Sequence, residues 1–334
     1  ALSVTSNFFD LGGTSLDLIN LVYKIKNHFS IDASITTILQ YPTAKGLSEF
    51  ISNSISTTSR KTYNPIVSLQ STGDKRPVFC IHSAIGEVLV FVNLSKYFAG
   101  DRPFYALRTR GLDKGFDYFS SIDEMVDCYV EAIRKIQPHG PYAISGYSFG
   151  GFIAFEVAKR LEMSGENVPF IGIIDCAPST DEPICPDYCA LSLGFFLGLI
   201  DKKKMLELHE KYKGSDPDLC KLIFSISNKK RIKELDLDLE KFTEWMDVAS
   251  SLGMMGKDYK PTGMVNSVNV FYAEPRWENK FNWLNNKLMK WDDYTIGDNN
   301  YIEVEGEHHS LLDPEYVSSF QSKFRKSISD TIKD

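Results

Sequence analysis

Gly146-Tyr147-Ser148-Phe149-Gly150 sets a serine midway between two glycines. Residues 142–145 before it are β-prone and follow a Gly-Pro pair. After it, Phe152, Phe155, Val157, Ala158 and Leu161 recur at helical spacing. A serine so flanked is expected on a sharp strand-to-helix turn, the geometry of a nucleophile elbow. The residues two positions away must be small for strand and helix to approach, and the helix N–H groups then face the reacting oxygen. A bare G-x-S-x-G also describes a glycine-rich turn with an inert serine. The strand before it and the helix after it argue for Ser148 as a nucleophile.

A serine hydroxyl needs a base within hydrogen-bond reach, and the base needs an orienting carboxylate. In this class of site the chain order is serine, acid, histidine. Two carboxylates compete. Asp175 ends the apolar run Phe170–Ile174, and Glu274 follows the strand-like residues 268–273. Spacing alone does not separate them. The base is expected at His308 or His309, after the strand-like residues 301–304. His82 precedes the serine, too early for the base, and is expected to shape the loop His82-Ser83-Ala84-Ile85-Gly86. A loop in that position and the residue after the nucleophile supply the two oxyanion-binding N–H groups. That nominates the backbone of Ala84 and Phe149.

These residues need a scaffold, and from residue 65 the chain alternates strand and helix patterns, which calls for an α/β sheet. Val78–Ile81, Phe104–Leu107 and Phe170–Ile174 read as buried strands, and residues 87–98 and Ile122–Ile136 as helices. Residues 179–262 form an insertion with an apolar patch at 191–200 and charged helical stretches at 202–213 and 229–247. Phe195, Phe196, Trp245, Met254 and Met255 are its candidate pocket-lining side chains. The expected fold is an α/β-hydrolase domain over 65–334 with this insertion as a helical lid.

Residues 1–55 read as a small all-α unit, and the polar, serine-rich residues 56–64 as a linker. Phe8-Phe9-Asp10-Leu11-Gly12-Gly13-Thr14-Ser15-Leu16 leads into an amphipathic helix carrying Leu18, Ile19, Val22, Ile25 and Phe29. Ser15 stands at its start. Thr43 is placed to cap a second helix. A plain N-cap explains Ser15 but not the Asp-Leu-Gly-Gly before it.

The bulk composition narrows the partners. A formal charge of −7 and a pI near 5.5 give no electrostatic footprint for nucleic acid. The longest apolar run, 189–200, is too short to span a bilayer. The six cysteines show no metal-ligand spacing, so no metal is expected, and they fit a reducing, cytoplasmic setting.

Two resemblances follow from these motifs. Phe-Phe-Asp-Leu-Gly-Gly-Thr-Ser-Leu resembles the attachment motif of peptidyl and acyl carrier (thiolation) domains. This implies 4′-phosphopantetheine covalently attached to Ser15, a phosphopantetheinyl transferase that installs it, and an acyl or peptidyl thioester as cargo. Only 14 residues precede Ser15, so the carrier is expected to lack its first helix. Gly-Tyr-Ser-Phe-Gly-Gly, with His-Ser-Ala-Ile-Gly-Glu upstream and Gly-Glu-His downstream, resembles the type I thioesterases that end nonribosomal peptide synthetases. In that family the acid follows the strand after the elbow helix, which favours Asp175 over Glu274. The family's Gly-x-His matches His308 rather than His309. The resemblance implies synthetase domains upstream, adenylation with or without condensation, and release of the chain by hydrolysis, cyclisation or condensation. The run of motifs is most similar to fungal-type adenylation–carrier–thioesterase enzymes that build secondary metabolites from aryl acids. A proofreading hydrolase for mis-loaded carriers, or a carrier-docking module without turnover, are the alternatives.

Overall fold

The computed structural model describes residues 3–13, 15–29, 31, 33, 37–38, 41–56, 63–112, 116–179, 185–212, 216, 218–235, 237–275 and 278–333. Seven strands form one sheet in the order β1-β3-β2-β4-β5-β6-β7. They are β1 Ile66–Gln70, β2 Val78–Ile81, β3 Phe104–Leu107, β4 Ala143–Tyr147, β5 Phe170–Ile174, β6 Asn269–Glu274 and β7 Asn300–Glu307. All pairings are parallel except β1 with β3. This is an α/β-hydrolase fold. The central strands are buried along their whole length, because helices cover both faces.

Strand period two divides the core into two layers. Phe79, Ile81, Ile144, Ile171, Ile173 and Val270 point into one. It is closed by α3 (Ile122–Ile136) and α4 (Phe149–Met163). Val78, Cys80, Ala143, Phe170, Ile174 and Phe271 point into the other, packed against residues 88–98 and α10 (Val317–Thr331). Ser121 starts α3 sharply: its Oγ accepts from Glu124 N at 3.1 Å, and Asp123 and Glu124 sit in the first turn.

The strands Val78–Ile81, Phe104–Leu107 and Phe170–Ile174 and the helix Ile122–Ile136 coincide with the sequence reading. Three elements differ. The continuous helix expected over 87–98 is two 3-10 turns around one short α-turn, Val92–Ser95. Val88, Val90 and Val92 are β-branched and crowd a helix, and burial of Val88, Phe91, Val92 and Leu94 holds the irregular path instead. The charged stretch 229–247 is split into α8 (Lys229–Glu234) and α9 (Leu239–Lys257). Leu235 and Leu237 turn inward there, and Asp238 caps α9 by accepting from Lys241 N at 2.8 Å. The edge strand β1 was not singled out in the sequence; it pairs on one side only, with β3, through a ladder whose register shifts between Ser68 and Gln70.

The insertion folds as α5 (Pro186–Phe196), α6 (Lys202–Lys211), α7 (Leu219–Ile226), α8 and α9 around a separate apolar cluster that includes Leu191, Leu193, Ile223 and Phe242. At the other end of the chain, the described residues of the N-terminal unit include the helices α1 (Ser15–Phe29) and α2 (Ala44–Ser56). Thr43 Oγ1 accepts from Gly46 N at 3.0 Å, capping α2. The unit touches the sheet edge through Asn7 Nδ2, which donates to Ser68 O at 3.3 Å. Asp10 Oδ2 also accepts from Ser71 Oγ at 2.8 Å. Residues 57–62 of the expected linker, the Ser15 side chain and residue 14 lie outside the description.

Candidate active site

The turn between β4 and α4 is fixed by two contacts that admit no side chain. A Cβ on Gly146 would stand 1.8 Å from Gly150 O, and a Cβ on Gly150 would stand 2.3 Å from His82 O. Glycine at both positions lets helix, strand and the 82–86 loop meet. Ser148 between them is held at φ 55° and ψ −127°, a conformation rare for L-residues. Its N–H donates to Ile174 O at 2.9 Å, so the next strand clamps the turn.

Asp175 ends β5, also at positive φ (50°), and is 4% exposed. Its carboxylate does not stand bare. Oδ1 accepts from Ala273 N at 3.1 Å and from the Trp283 indole N–H at 3.3 Å, and Oδ2 accepts from His308 Nδ1 at 2.7 Å. A buried carboxylate needs such donors to remain an anion. The Asp175 contact makes Nδ1 the protonated nitrogen of a neutral His308. Nε2 is then the acceptor, and it lies 3.1 Å from Ser148 Oγ. His308 follows β7, and its carbonyl accepts from the Tyr147 hydroxyl, which fixes the loop from below.

The structure thus brings Ser148, His308 and Asp175 into one hydrogen-bonded line. Glu274, the rival acid, is half-exposed and pairs with Lys280 at 2.8 Å. His309 does not reach Ser148 Oγ by any such contact. Its ring packs edge-on against Phe195 of the lid, with centroids 5.1 Å apart. His82 is fully buried behind the loop. Nδ1 contacts Ser83 O at 2.6 Å and Nε2 contacts Tyr129 Oη at 2.8 Å. Since the carbonyl can only accept, Nδ1–H donates to it and Tyr129 donates to Nε2. Burial, aided by the nearby Arg108 guanidinium, lowers the His82 pKa to about 4.

Ala84 and Phe149 flank Ser148 on the wall of a cavity of about 610 Å³. Phe149 is the first residue of α4, where the backbone N–H has no intrahelical acceptor. Ser83, Ile85 and Gly86 shape the Ala84 side: Gly86 N donates to Ser83 O at 2.9 Å, and Thr109 N donates to Gly86 O at 3.0 Å. A buried ion pair, Arg108 to Glu87, anchors the loop's far end at 2.7 Å.

The cavity runs from this floor up under the lid. Its walls are mainly apolar, with Phe152 and Cys176 from the hydrolase core and Leu193, Phe196 and Ala249 from the lid. Tyr188, His209 and Glu210 add polar groups. Of the five lining candidates read from sequence, Phe196 alone lines it. Trp245 and Phe195 belong to the lid's own packing, Met255 leans on the sheet core, and Met254 is exposed. Trp283, a donor to Asp175, carries no motif, and only the fold brings it there; Tyr147, the donor to the His308 carbonyl, stands at a variable position of the elbow motif.

Ser15 opens a fifteen-residue helix. A phosphodiester carried there would meet the positive end of the helix and its free N–H groups. In the turn before it, Gly12 adopts φ +90°, and Phe8 fills the space beside Gly13. These residues fit a covalently attached 4′-phosphopantetheine.

Residues 76–184 match the family model for thioesterase domains, and residues 1–51 that for the phosphopantetheine attachment site. Atromentin synthetase greA of Suillus grevillei is 43% identical over 97% of this chain, which spans 34% of that protein's length. A four-domain nonribosomal peptide synthetase, holo-AB3403, solved with AMP and glycine, superposes with a TM-score of 0.68. It is 24% identical, over 97% of this chain and 24% of its own. The Vlm2 thioesterase domain superposes with a TM-score of 0.60 at 19% identity, over 78% of this chain and 96% of its own.

Proposed function

Starting from a chain that joins a phosphopantetheine carrier segment to a serine-hydrolase-type thioesterase domain, we propose that it is the release end of a longer adenylation–carrier–thioesterase synthetase. The observation that carries this reading is the line Ser148 Oγ–His308 Nε2 at 3.1 Å and His308 Nδ1–Asp175 Oδ2 at 2.7 Å, at the floor of an acyl-sized cavity.

The arm on Ser15 supplies the acyl group as a thioester. Ser148 Oγ attacks the carbonyl carbon while His308 Nε2 takes the hydroxyl proton. Asp175 holds the imidazole in its tautomer and stabilises the imidazolium. The N–H groups of Ala84 and Phe149 bind the oxyanion, each worth about 3 kcal/mol in sites of this kind. As the C–S bond breaks, His308 returns the proton to the departing sulfur, and the acyl group is left as an ester on Ser148. His308 then deprotonates the nucleophile that enters: water, a group within the cargo, or a second acyl unit.

Residues 1–55 act as the carrier, 56–64 as the tether and 65–334 as the thioesterase, with the lid at about 179–262. Tethering makes acyl delivery intramolecular and raises its effective concentration. The partners are adenylation and related domains of the same polypeptide, together with a phosphopantetheinyl transferase. Similarity to relatives named atromentin synthetases supports a synthetase of this kind, and the aryl-acid-derived cargo expected from the motifs is proposed with it. Among the described residues no helix is long and apolar enough to cross a membrane, and a cytoplasmic setting is proposed.

The test loads Ser15 with an acyl-pantetheine and follows the acyl group by intact-protein mass spectrometry with peptide mapping. Transfer to Ser148 and then release is expected in the wild type, with the acyl group retained on Ser15 in Ser148→Ala. A cargo that never reaches Ser148, or that leaves Ser15 equally fast in Ser148→Ala, refutes the proposal.

A further inference from the structure

The 82–86 loop is held from two sides, and one of them is the lid. On the hydrolase side, Ser83 and Thr109 pin Gly86, and Ser83 Oγ accepts from Ile85 N at 3.4 Å. On the lid side, the Ile85 side chain is 9% exposed and belongs to the lid's apolar cluster, with Leu191, Leu193 and Phe242. The Ile85 carbonyl accepts from the indole Nε1–H of Trp245 on α9 at 3.2 Å. Space beside Gly86 is bounded by Val248, one turn further along the same helix. Ile85 is therefore built into the lid by its side chain and tied to it by its main chain. Its neighbour Ala84 carries the oxyanion-binding N–H proposed above.

We infer that Trp245 is a positioning residue for the oxyanion hole: seated in the lid, it holds the Ile85 carbonyl and so, through the Ser83–Gly86 turn, sets the direction of the Ala84 N–H. The inference rests on the catalytic reading of Ser148 and the Ala84–Phe149 pair. It gives the lid a second task besides covering the cargo. The Ile85 carbonyl shares one rigid peptide plane with the Gly86 N–H, which donates to Ser83 O at 2.9 Å, and Ser83 O shares its own plane with the Ala84 N–H. With the lid seated, the donor is aimed before the substrate carbonyl arrives, and preorganisation of this kind is where oxyanion stabilisation originates. With the lid lifted, the loop loses both its lid-side hydrogen bond and its lid-side packing. A second strap runs between the lid and the base loop. Lys202 Nζ, at the start of α6, contacts Glu307 Oε1 at 2.8 Å and Oε2 at 2.6 Å, next to His308. That pair is half-exposed, suited to breaking and re-forming.

The test uses Trp245→Phe, which keeps an aromatic ring in the lid and removes the N–H donor. Turnover of a soluble N-acetylcysteamine thioester of phenylacetic acid is measured beside binding of an aryl trifluoromethyl ketone, whose adduct with Ser148 places an oxyanion in the hole. The expected result is a fall in kcat of about tenfold, the effect of one lost hydrogen bond, with KM unchanged. Ketone affinity should fall by a similar factor, with Tm within about 2 °C of wild type. A kcat within twofold of wild type overturns the inference. So does a rise in KM alone, which would make Trp245 a wall of the cargo site, or a fall in kcat and Tm with ketone affinity intact. Ser148→Ala separates this inference from the reading beneath it. A wild type whose turnover does not depend on Ser148 overturns both, whereas Ser148-dependent turnover indifferent to Trp245→Phe overturns the lid coupling alone.

Discussion

Acid should unfold this protein partly through His82, a residue outside the proposed chemistry. The ring is 0% exposed and neutral, donating through Nδ1–H to Ser83 O and accepting at Nε2 from Tyr129. Its folded pKa is lowered to about 4, against the ordinary 6.5 of an unfolded histidine. Between pH 6.5 and 4 the unfolded chain binds a proton that the folded chain refuses, so stability rises with pH across that window. The contribution is fully present above the unfolded pKa and fades as pH falls toward the folded one. At pH 5 the loss is about 2 kcal/mol, and over the whole window about 3 kcal/mol, at roughly 1.4 kcal/mol per pH unit. His82→Gln removes the titration while retaining hydrogen-bonding capacity. Urea unfolding of both proteins at intervals from pH 7.5 to 4 isolates the term, because carboxylates lost to acid are common to the two. The wild type should lose about 2 kcal/mol more than the variant between pH 7.5 and 5. Parallel stability curves for the two proteins would refute the claim that His82 is held neutral by burial.

Two further substitutions probe the frame of the site. Gly150→Ala drives a Cβ to 2.3 Å from His82 O and 2.6 Å from Ile81 O, both backbone atoms that cannot swing aside. A loss of about 3 kcal/mol or more in urea unfolding is expected, and a near-neutral variant would disprove the close approach. Trp283→Phe deletes one of the donors to Asp175. As the bond is long, at 3.3 Å, the expected cost is a fall in kcat of about tenfold with KM unchanged, read on the same soluble thioester. An unchanged kcat would remove Trp283 from the support of the acid.

Much of the frame was legible because the residues that build it are the ones with distinctive local physics. Gly146 and Gly150 stand where no side chain fits, so the elbow announces itself in sequence. The continuous apolar run Phe170–Ile174 suits a strand covered on both faces, and Asp175 stands at its end. Chain order alone left Glu274 standing beside Asp175. What separates them is three-dimensional: the donors at Ala273 N and Trp283 lie 98 and 108 residues from Asp175 in sequence. The same holds for Trp245, 160 residues from the carbonyl it binds. Such long-range partners leave no periodicity to read. Within the lid, Phe195, Trp245 and Met255 have the same residue types as a pocket lining, but helix rotation, which composition does not encode, turned them into packing. The 88–98 segment failed for a related reason: its valines satisfy an apolar helix pattern, while burial rewards whichever path packs them.

If Ser148 is the nucleophile and His308, oriented by Asp175, its base, the reactivity of one hydroxyl depends on both partners. The most direct measurement is the rate of covalent capture by an alkyl fluorophosphonate, with the labelled residue mapped by tandem mass spectrometry. It compares wild type, His308→Ala, His309→Ala and Asp175→Asn. Label is expected on Ser148, slowed by about a thousandfold or more in His308→Ala and strongly slowed in Asp175→Asn, with His309→Ala within about threefold of wild type. Label on another residue, or a slower capture in His309→Ala than in His308→Ala, would contradict that assignment.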